Sequence, residues 1–226
     1  SRSLTIKLLS SSFRSPTEKL MNILLITLSI LGGLAILIVI LSFLAPTRIE
    51  YSEKVRVNTS TYRVFDNIRI QQRLMRWSAW PKETKSKCAV ETSGAFDGID
   101  GSVGTKTVFF SKGKRFGHQE LLSIQDGRSV SFTLEGGGPP HFPTMTFNLE
   151  EVGEDATDVT LHFINNLPRP FNILWHYAGL SKWTRKMHVK DLQGLKAFSE
   201  PPHKDSDGRI VGREIEVDNP YEIPMP

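Results

Sequence analysis

One continuous apolar stretch dominates the first part of the chain. Between Leu20 and Thr47 there is no Asp, Glu, Lys, Arg or His, and residues 22–45 are almost wholly Leu, Ile, Val, Ala and Gly. A helix of that length reaches about 36 Å at ~1.5 Å per residue, which exceeds the ~30 Å hydrocarbon thickness of a bilayer. We therefore predict a transmembrane helix over residues 22–45, preceded by an N-terminal flank at residues 1–21.

A cleaved signal peptide and a buried core helix are the alternatives to a retained anchor. A signal peptide ends in a small-x-small cleavage site, but here bulky Phe43 stands where a small residue is needed and Pro46 follows closely. A buried core helix is disfavoured because the segment is apolar all round. We expect a single-pass membrane protein whose bilayer helix pairs weakly with a second copy through the small residues Ser29 and Gly33.

The orientation of this predicted anchor is left open. Within about 20 residues there are four basic residues before it and four after it, so the positive-inside rule gives a tie. If translation starts at Met21, the tie breaks toward a cytoplasmic domain.

After Pro46 the pattern becomes an alternation typical of a strand. Tyr51, Val55 and Val57 fall on one face with Ile49 and Glu53, and polar residues fall on the other. Residues 59–80 then show helical spacing, and we expect Pro81 to end that helix.

Short alternating segments separated by turn residues run from Cys88 to Asn165 and predict five or six antiparallel strands. The other faces of these strands are mostly polar, so we expect the sheet to be covered on one side only. Three segments carry matched apolar faces: Val130, Phe132 and Leu134; Met145, Phe147 and Leu149; Val159, Leu161 and Phe163.

The C-terminal part predicts the cover for this sheet. Residues 171–199 have apolar positions near helical intervals and contain only Gly179 and Gly194 as breakers, which predicts one long amphipathic helix. Residues 201–226 are polar and Pro-containing, so we predict a loosely attached tail, with a single docked strand that includes Ile210, Val211, Ile215 and Val217 as the alternative.

Composition excludes several classes of function. The net charge of +4 comes mostly from the first 45 residues, since 24 basic and 23 acidic residues follow them, so no nucleic-acid partner is expected. Cys88 is the only cysteine, which rules out an intrachain disulfide and a cysteine-based zinc site.

Catalytic and metal chemistry find little support in the sequence. The six histidines lack metal-ligand spacing and are interpreted as surface or strand residues, with His162 on the polar face of its strand. The assignable inner faces of the sheet carry no polar residue, and no nucleophile motif is present. We predict no catalytic residue, no metal and no cofactor.

The order of elements and several short motifs resemble the START-like, or SRPBCC, superfamily. Within it the chain is similar to the bacterial polyketide cyclase/dehydrase and lipid-transport group, whose members often begin with one membrane helix. Ala79 replaces the usual Pro, and Asp191 stands where Gly often precedes Leu. The resemblance covers residues 49–200 and rests on four pieces: Thr59 to Phe65 after the first strand; Trp77-Ser78-Ala79-Trp80-Pro81; Gly101 and Gly104; and Leu192-Gln193-Gly194-Leu195-Lys196.

The resemblance implies an α+β helix-grip fold, in which a curved antiparallel sheet wraps around the long C-terminal helix and encloses a cavity for an apolar ligand. It also implies a bacterial inner membrane as the location. We expect the domain at residues 49–200 to bind a lipid-like or other apolar small molecule without transforming it. A cyclase- or dehydratase-type enzyme acting on a polyketide or aromatic substrate is one alternative, and a tethered structural or interaction domain with a filled core is another.

Large apolar side chains on the strands and helices are the candidate cavity lining, although plain core packing explains each of them equally well. The loop at residues 135–141 is a candidate gate over the pocket, or a long hairpin connection. The predicted ligand-binding residues are Phe132, Met145, Phe147, Phe163, Tyr177 and Met187, with Trp77 and Trp80 near the rim.

Overall fold

The structure is a computed structural model that describes residues 16–91, 99–136, 142–204 and 210–211. The chain divides into two compact units, Ser1–Ala45 and Pro46–Pro226. Each unit is described by itself.

The first unit contains one long helix, α1, over Pro16–Leu44. It begins six residues earlier than the apolar pattern alone predicts, so residues 16–21 extend the helix by nearly two turns. Among the described residues, α1 is the single helix that is long and apolar enough to cross a membrane.

The second unit is built on a seven-stranded antiparallel sheet with the strand order β1-β7-β6-β5-β4-β3-β2. The six strands after β1 match the predicted number. Their bounds are β1 Arg48–Val57, β2 Lys87–Glu91, β3 Lys106–Ser111, β4 Lys114–Gln125, β5 Ser129–Gly136, β6 Thr144–Glu151 and β7 Thr157–Asn166.

Alternation along the strands sets which face is buried, as predicted. In β1 the Tyr51 and Val57 side chains lie inside while Lys54 and Arg56 are exposed. His162 of β7 lies on the outer face, 3.0 Å from a carboxylate oxygen of Glu50. Register shifts in β3 and β4 interrupt the ladder, and such bulges bend a sheet.

The predicted single helix over residues 59–80 is three short helices, α2 Thr61–Arg69, α3 Gln71–Trp77 and α4 Ala79–Thr84. The chain turns between them at Ile70 and Ser78, which have extended backbone angles. Pro81 does not end the helix; it lies in the first turn of α4, where the missing N–H of proline costs no hydrogen bond.

The predicted C-terminal helix is also divided, into α5 Asn172–Tyr177 and α6 Leu180–Ser199. Gly179 separates them with a φ of +77°, a left-handed conformation that L side chains rarely adopt. Gly194 is instead accommodated within α6, so only one of the two glycines breaks the helix.

The helices α2, α3 and α6 pack on one face of the sheet, and the hydrophobic core lies between the two layers. Val64 of α2, Leu195 of α6, and Phe132 and Leu161 of the sheet are almost fully inaccessible to solvent. The domain therefore has the predicted α+β helix-grip fold, with a curved antiparallel sheet and a long C-terminal helix.

Two short strands follow α6, β8 His203–Lys204 and β9 Ile210–Val211, and they pair with each other. Ile210 and Val211 are two of the four residues for which one docked strand was the alternative; the other two, Ile215 and Val217, lie outside the described residues. The rest of the predicted tail, at residues 205–209 and 212–226, lies outside the described residues.

Candidate functional site

A pocket of about 330 Å³ opens at the end of the sheet where β5 stops and β6 begins. It lies between this end of β3, β4 and β5 on one side and the helices α4 and α6 on the other. The lining is mostly apolar: Met75, Trp80, Phe109, Phe116, Leu134, Pro143 and Trp183, with the polar Ser78, Thr84, His118, Gln119 and Glu135 and with Gly136.

Trp80 and Trp183 form the helical wall of the pocket. Their rings meet edge to face, with centroids 5.2 Å apart and planes at 89°. This arrangement suits the charge distribution of aromatic rings and fixes both side chains in orientation.

Gln119 is a buried polar residue on the inner face of β4. It pairs in register with Thr107 of β3 and Leu134 of β5. Its side chain is only 4% exposed, and the Nε2 donor has no hydrogen-bond partner among the described residues. Leaving a buried amide donor unpaired costs about 1–3 kcal/mol, so such a group needs an explanation.

A second buried glutamine, Gln71 of α3, differs from Gln119 because both ends of its side-chain amide have hydrogen-bond partners. Its Nε2 donates to the Thr105 carbonyl, and its Oε1 accepts from the Thr107 hydroxyl. Gln71 therefore links α3 to β3 through hydrogen bonds, whereas Gln119 has an amide donor at the pocket wall that a ligand can use.

Asp191 of α6 holds the helical wall in place. Its carboxylate accepts hydrogen bonds from the Ala79 amide at 2.7 Å and the Ser78 hydroxyl at 3.1 Å, at the start of α4. Burial raises the pKa of Asp191 to about 7, against the hydrogen bonds from Ala79, Ser78 and the Trp80 side chain, which lower it.

Gly194 lets α6 approach this same wall closely. A Cβ at Gly194 would lie 2.3 Å from the Trp77 carbonyl oxygen, which no side chain can tolerate without backbone movement. The sequence pieces around Trp77 to Pro81 and around Gly194 thus contact each other, although they are more than 100 residues apart in the chain.

His188 of α6 is buried beside the pocket wall rather than in it. Its Nδ1 lies 3.0 Å from the Tyr51 hydroxyl oxygen, and its ring packs on Phe163 and Trp80 with centroid distances of 4.8 and 5.9 Å. Burial lowers the pKa of His188 to about 4, so the imidazole is neutral at pH 7. Burial also raises the pKa of Tyr51.

The structure distributes the eight residues predicted to bind ligand over three environments. Trp80 alone of the eight lines the 330 Å³ pocket. Tyr177 is 52% exposed at the end of α5. The others are buried: Trp77, Phe132, Met145, Phe147 and Phe163 lie in the core cluster, and Met187 is buried on α6.

Two sequence-based interpretations are wrong. The inner face of the sheet does carry polar residues, since Thr107, Gln119 and Asn165 are all buried there. The histidines are not all surface or strand residues, since His188 is on a helix and 1% exposed. A glutamine at an inner position of β4, between Gly117 and Leu121, is the sequence signal that could have revealed Gln119.

The predicted gate falls partly outside the described residues, because residues 137–141 are not described. The residues on either side of that segment, Gly136 and Pro143, line the pocket. Among the described residues no cluster of three or more His, Cys, Asp or Glu could hold a metal ion.

No protein-family model matches the chain, and no curated protein matches its sequence. Among solved structures, the chain is similar to a protein of Nitrosospira multiformis (16% identity, TM-score 0.47, covering 67% of this chain and 96% of that one). It is similar to a hypothetical protein of Helicobacter pylori (13%, 0.49, 67% and 88%) and to norcoclaurine synthase of Thalictrum flavum (12%, 0.47, 69% and 90%). Likenesses at this level carry no argument about ligand or activity.

Proposed function

We propose that the domain binds an apolar small molecule in the pocket between the β3–β5 end of the sheet and the helices α4 and α6. The observation that carries this proposal is an apolar cavity of about 330 Å³ whose wall contains the buried amide donor of Gln119, which has no hydrogen-bond partner among the described residues. Binding sites for small molecules combine an apolar lining with a few polar groups that orient the ligand.

Size and polarity narrow the ligand class. A volume of 330 Å³ lies at the lower end of the ~300–1,000 Å³ range of small-molecule sites. One water molecule occupies ~30 Å³ in the liquid, and ligand atoms that each fill this volume or somewhat less give on the order of ten to fifteen non-hydrogen atoms in the pocket. One acyl chain or a fused ring pair has this size. The unpaired donor favours a ligand with a carbonyl, carboxyl or hydroxyl oxygen.

The second part of the proposal is that α1 anchors this domain to a membrane. The support is its continuous apolar sequence and its length of 29 residues, ample for a ~30 Å hydrocarbon layer. β1 starts at Arg48, four residues after α1 ends, so such a tether would keep the pocket at high local concentration relative to membrane-derived ligands. A bacterial inner membrane remains the proposed location, with either orientation.

We also propose that the chain belongs to the START-like superfamily. The helix-grip fold supports this, as does the contact between the Trp77–Pro81 motif and Gly194, because the two motifs on which the resemblance rests meet in one wall. Function within that superfamily varies, so the pocket and not the fold supports the binding role.

Methyl NMR of the full chain in lipid nanodiscs tests the binding proposal. Met75 lines the pocket, while Met145 and Met187 are buried elsewhere. Addition of naphthol or decanoic acid should shift the Met75 methyl signal and leave those of Met145 and Met187 in place. Movement of Met145 and Met187 instead would favour the cavity predicted from sequence, and no movement at all would favour a tethered domain with a filled interior.

An enzyme is the second candidate, and His118 is the observation that favours it. This histidine borders the pocket on the face of β4 opposite to that of Gln119, with its ring nitrogens 3.5 and 3.7 Å from carboxylate oxygens of Glu135 and Glu120. An imidazole flanked by carboxylates beside a pocket is an arrangement suited to a general base. If the domain is an enzyme, wild-type and His118→Gln proteins purified from the same cells should yield different extracted compounds, product and substrate respectively; the same compound from both would exclude this role.

A further inference from the structure

The segment from Phe171 to Trp183, which contains α5 and the first turn of α6, exposes five large apolar side chains, here called the aromatic surface. It consists of Phe171, Leu174, Tyr177, Leu180 and Trp183, every third residue, with exposures of 41, 53, 52, 38 and 44%. The buried residue of α5 is polar Asn172. This helix thus shows the reverse of the usual amphipathic pattern, and exposed apolar patches of this kind mark interaction sites.

The aromatic surface lies at the end of the sheet where the chain enters the domain. The Leu167 amide donates to the Thr47 carbonyl at 2.7 Å, and Arg48 pairs with Asn166. Phe171 follows Leu167 by four residues. The opposite end of β1, at Val57, is about 30 Å away at ~3.3 Å per residue.

The charge around the aromatic surface is positive. Between Arg169 and Lys190 the sequence contains no Asp or Glu. Arg185 and Lys190 are paired with the carboxylates of Glu53 and Glu83. Lys182 and Lys186 are two further exposed cations on α6, and Lys186 also helps to lower the pKa of Glu83.

Positive charge beside exposed Phe, Tyr, Trp and Leu is the composition of helices that lie in a membrane interface. Indole and phenol rings favour the headgroup level, and basic residues are attracted to anionic lipids. A soluble protein partner would require an acidic apolar groove, whereas an anionic bilayer complements both properties of this surface.

We propose that the aromatic surface docks on the headgroup region of a bilayer that contains anionic lipids. This contact is a second attachment, separate from α1, and it orients the domain on the membrane. Trp183 belongs both to the aromatic surface and to the pocket wall. Docking therefore brings one wall of the pocket to the lipid surface, but it does not depend on whether the pocket holds a ligand.

A fluorophore sensitive to its environment, attached to the full chain in nanodiscs with anionic lipid, tests this proposal. The label is placed on Leu174→Cys, with Tyr62→Cys as the matched control; Tyr62 is 72% exposed and follows the far end of β1. Cys88 is fully buried, so labelling is directed to the introduced thiol. We expect brominated lipids to quench emission at position 174 and to leave position 62 unaffected.

The charge contribution is tested in the same labelled protein. Each lysine near an anionic surface contributes about 1 kcal/mol, or a factor of about five, so Lys182→Gln with Lys186→Gln should lower the docked-to-undocked ratio about 25-fold. The control pair Arg63→Gln with Arg73→Gln, exposed on α2 and α3, should leave the ratio unchanged.

Three results would overturn the proposal. Absence of lipid quenching at position 174 is the first, and equal quenching at positions 174 and 62 is the second. The third is a blue-shifted emission at 174 without lipid quenching, which would mean that protein, a second copy or another partner, covers the aromatic surface. Because the Met75 methyl signal reports pocket binding independently, failure of docking and failure of ligand binding are distinguishable.

Discussion

Replacing Gln119 by leucine should stabilise the domain while weakening its ligand binding. Gln119 is 4% exposed, and its amide donor has no partner among the described residues, which costs about 1–3 kcal/mol. Leucine is similar in volume and removes that cost, so the free energy of unfolding should rise by about 1–3 kcal/mol. For a domain of this size the melting temperature rises by about 2–4 °C per kcal/mol.

Ligand binding should respond in the opposite direction. A ligand oxygen that accepts from Gln119 loses its partner in the variant, and the lost interaction of about 1–3 kcal/mol weakens binding roughly 5- to 150-fold. A hydrocarbon of the same size, without an acceptor, should bind the variant at least as well as the wild type.

Thermal unfolding followed by tryptophan fluorescence measures the stability, since the four tryptophans all lie in the domain. Gln71→Leu is the matched control. It removes an amide whose two ends are both paired, to Thr105 and Thr107, and should therefore destabilise by about 1–3 kcal/mol. If Gln119→Leu destabilised the domain as much as Gln71→Leu does, the Gln119 amide would be a structural tie and its proposed role toward a ligand would be refuted.

Three further predictions follow from the pocket wall and the anchor. The folded-state pKa of Asp191 is raised from 3.8 to about 7, so its contribution to stability is complete below pH ~4 and is lost as the pH rises through ~7. Between these pH values, the free energy of unfolding of Asp191→Asn, measured with urea, should rise relative to that of the wild type by ~1.4 kcal/mol per pH unit. A difference that stays constant with pH would contradict the raised pKa. Gly194→Ala should lower the free energy of unfolding by about 1–3 kcal/mol in chemical denaturation, although alanine is the better helix former, because its Cβ meets the Trp77 carbonyl; an unchanged midpoint would refute that close contact. The full chain should resist carbonate extraction from membranes and a chain without residues 1–46 should be soluble, whereas release of the full chain by carbonate would refute the anchor.

The fold could be predicted because a strand with one face on the core and one face in water alternates apolar and polar side chains. Tyr51 and Val57 of β1, and Leu161 and Phe163 of β7, had to face the core. The strand order was not predicted, because β1 pairs with β7, the strand farthest from it in the sequence. The helix breaks at Ile70 and Ser78 could not be predicted in the same way, because neither position carries a glycine or proline and the turns are set by tertiary packing.

The site was harder to predict than the fold. Phe132, Phe147 and Phe163 were chosen because they are large and apolar, but the same properties place a side chain in the packed core. The pocket instead lies at one end of the sheet, where Gln119 of β4 meets Leu134 and Gly136 at the end of β5. Asp191, at which the chain departs from the pattern of the group that its sequence resembles, proved to be the carboxylate that holds the pocket wall.

Native mass spectrometry of the full chain, released from nanodiscs prepared directly from its own membranes, tests the central claim of ligand binding most directly. The wild type should carry a bound apolar compound of on the order of ten to fifteen non-hydrogen atoms with at least one acceptor oxygen. Leu134→Trp, which narrows the pocket, should lose it, while Leu122→Trp, at an exposed position of the neighbouring strand, should retain it. A wild-type chain without any bound compound, or equal occupancy in the two tryptophan variants, would contradict ligand binding in this pocket.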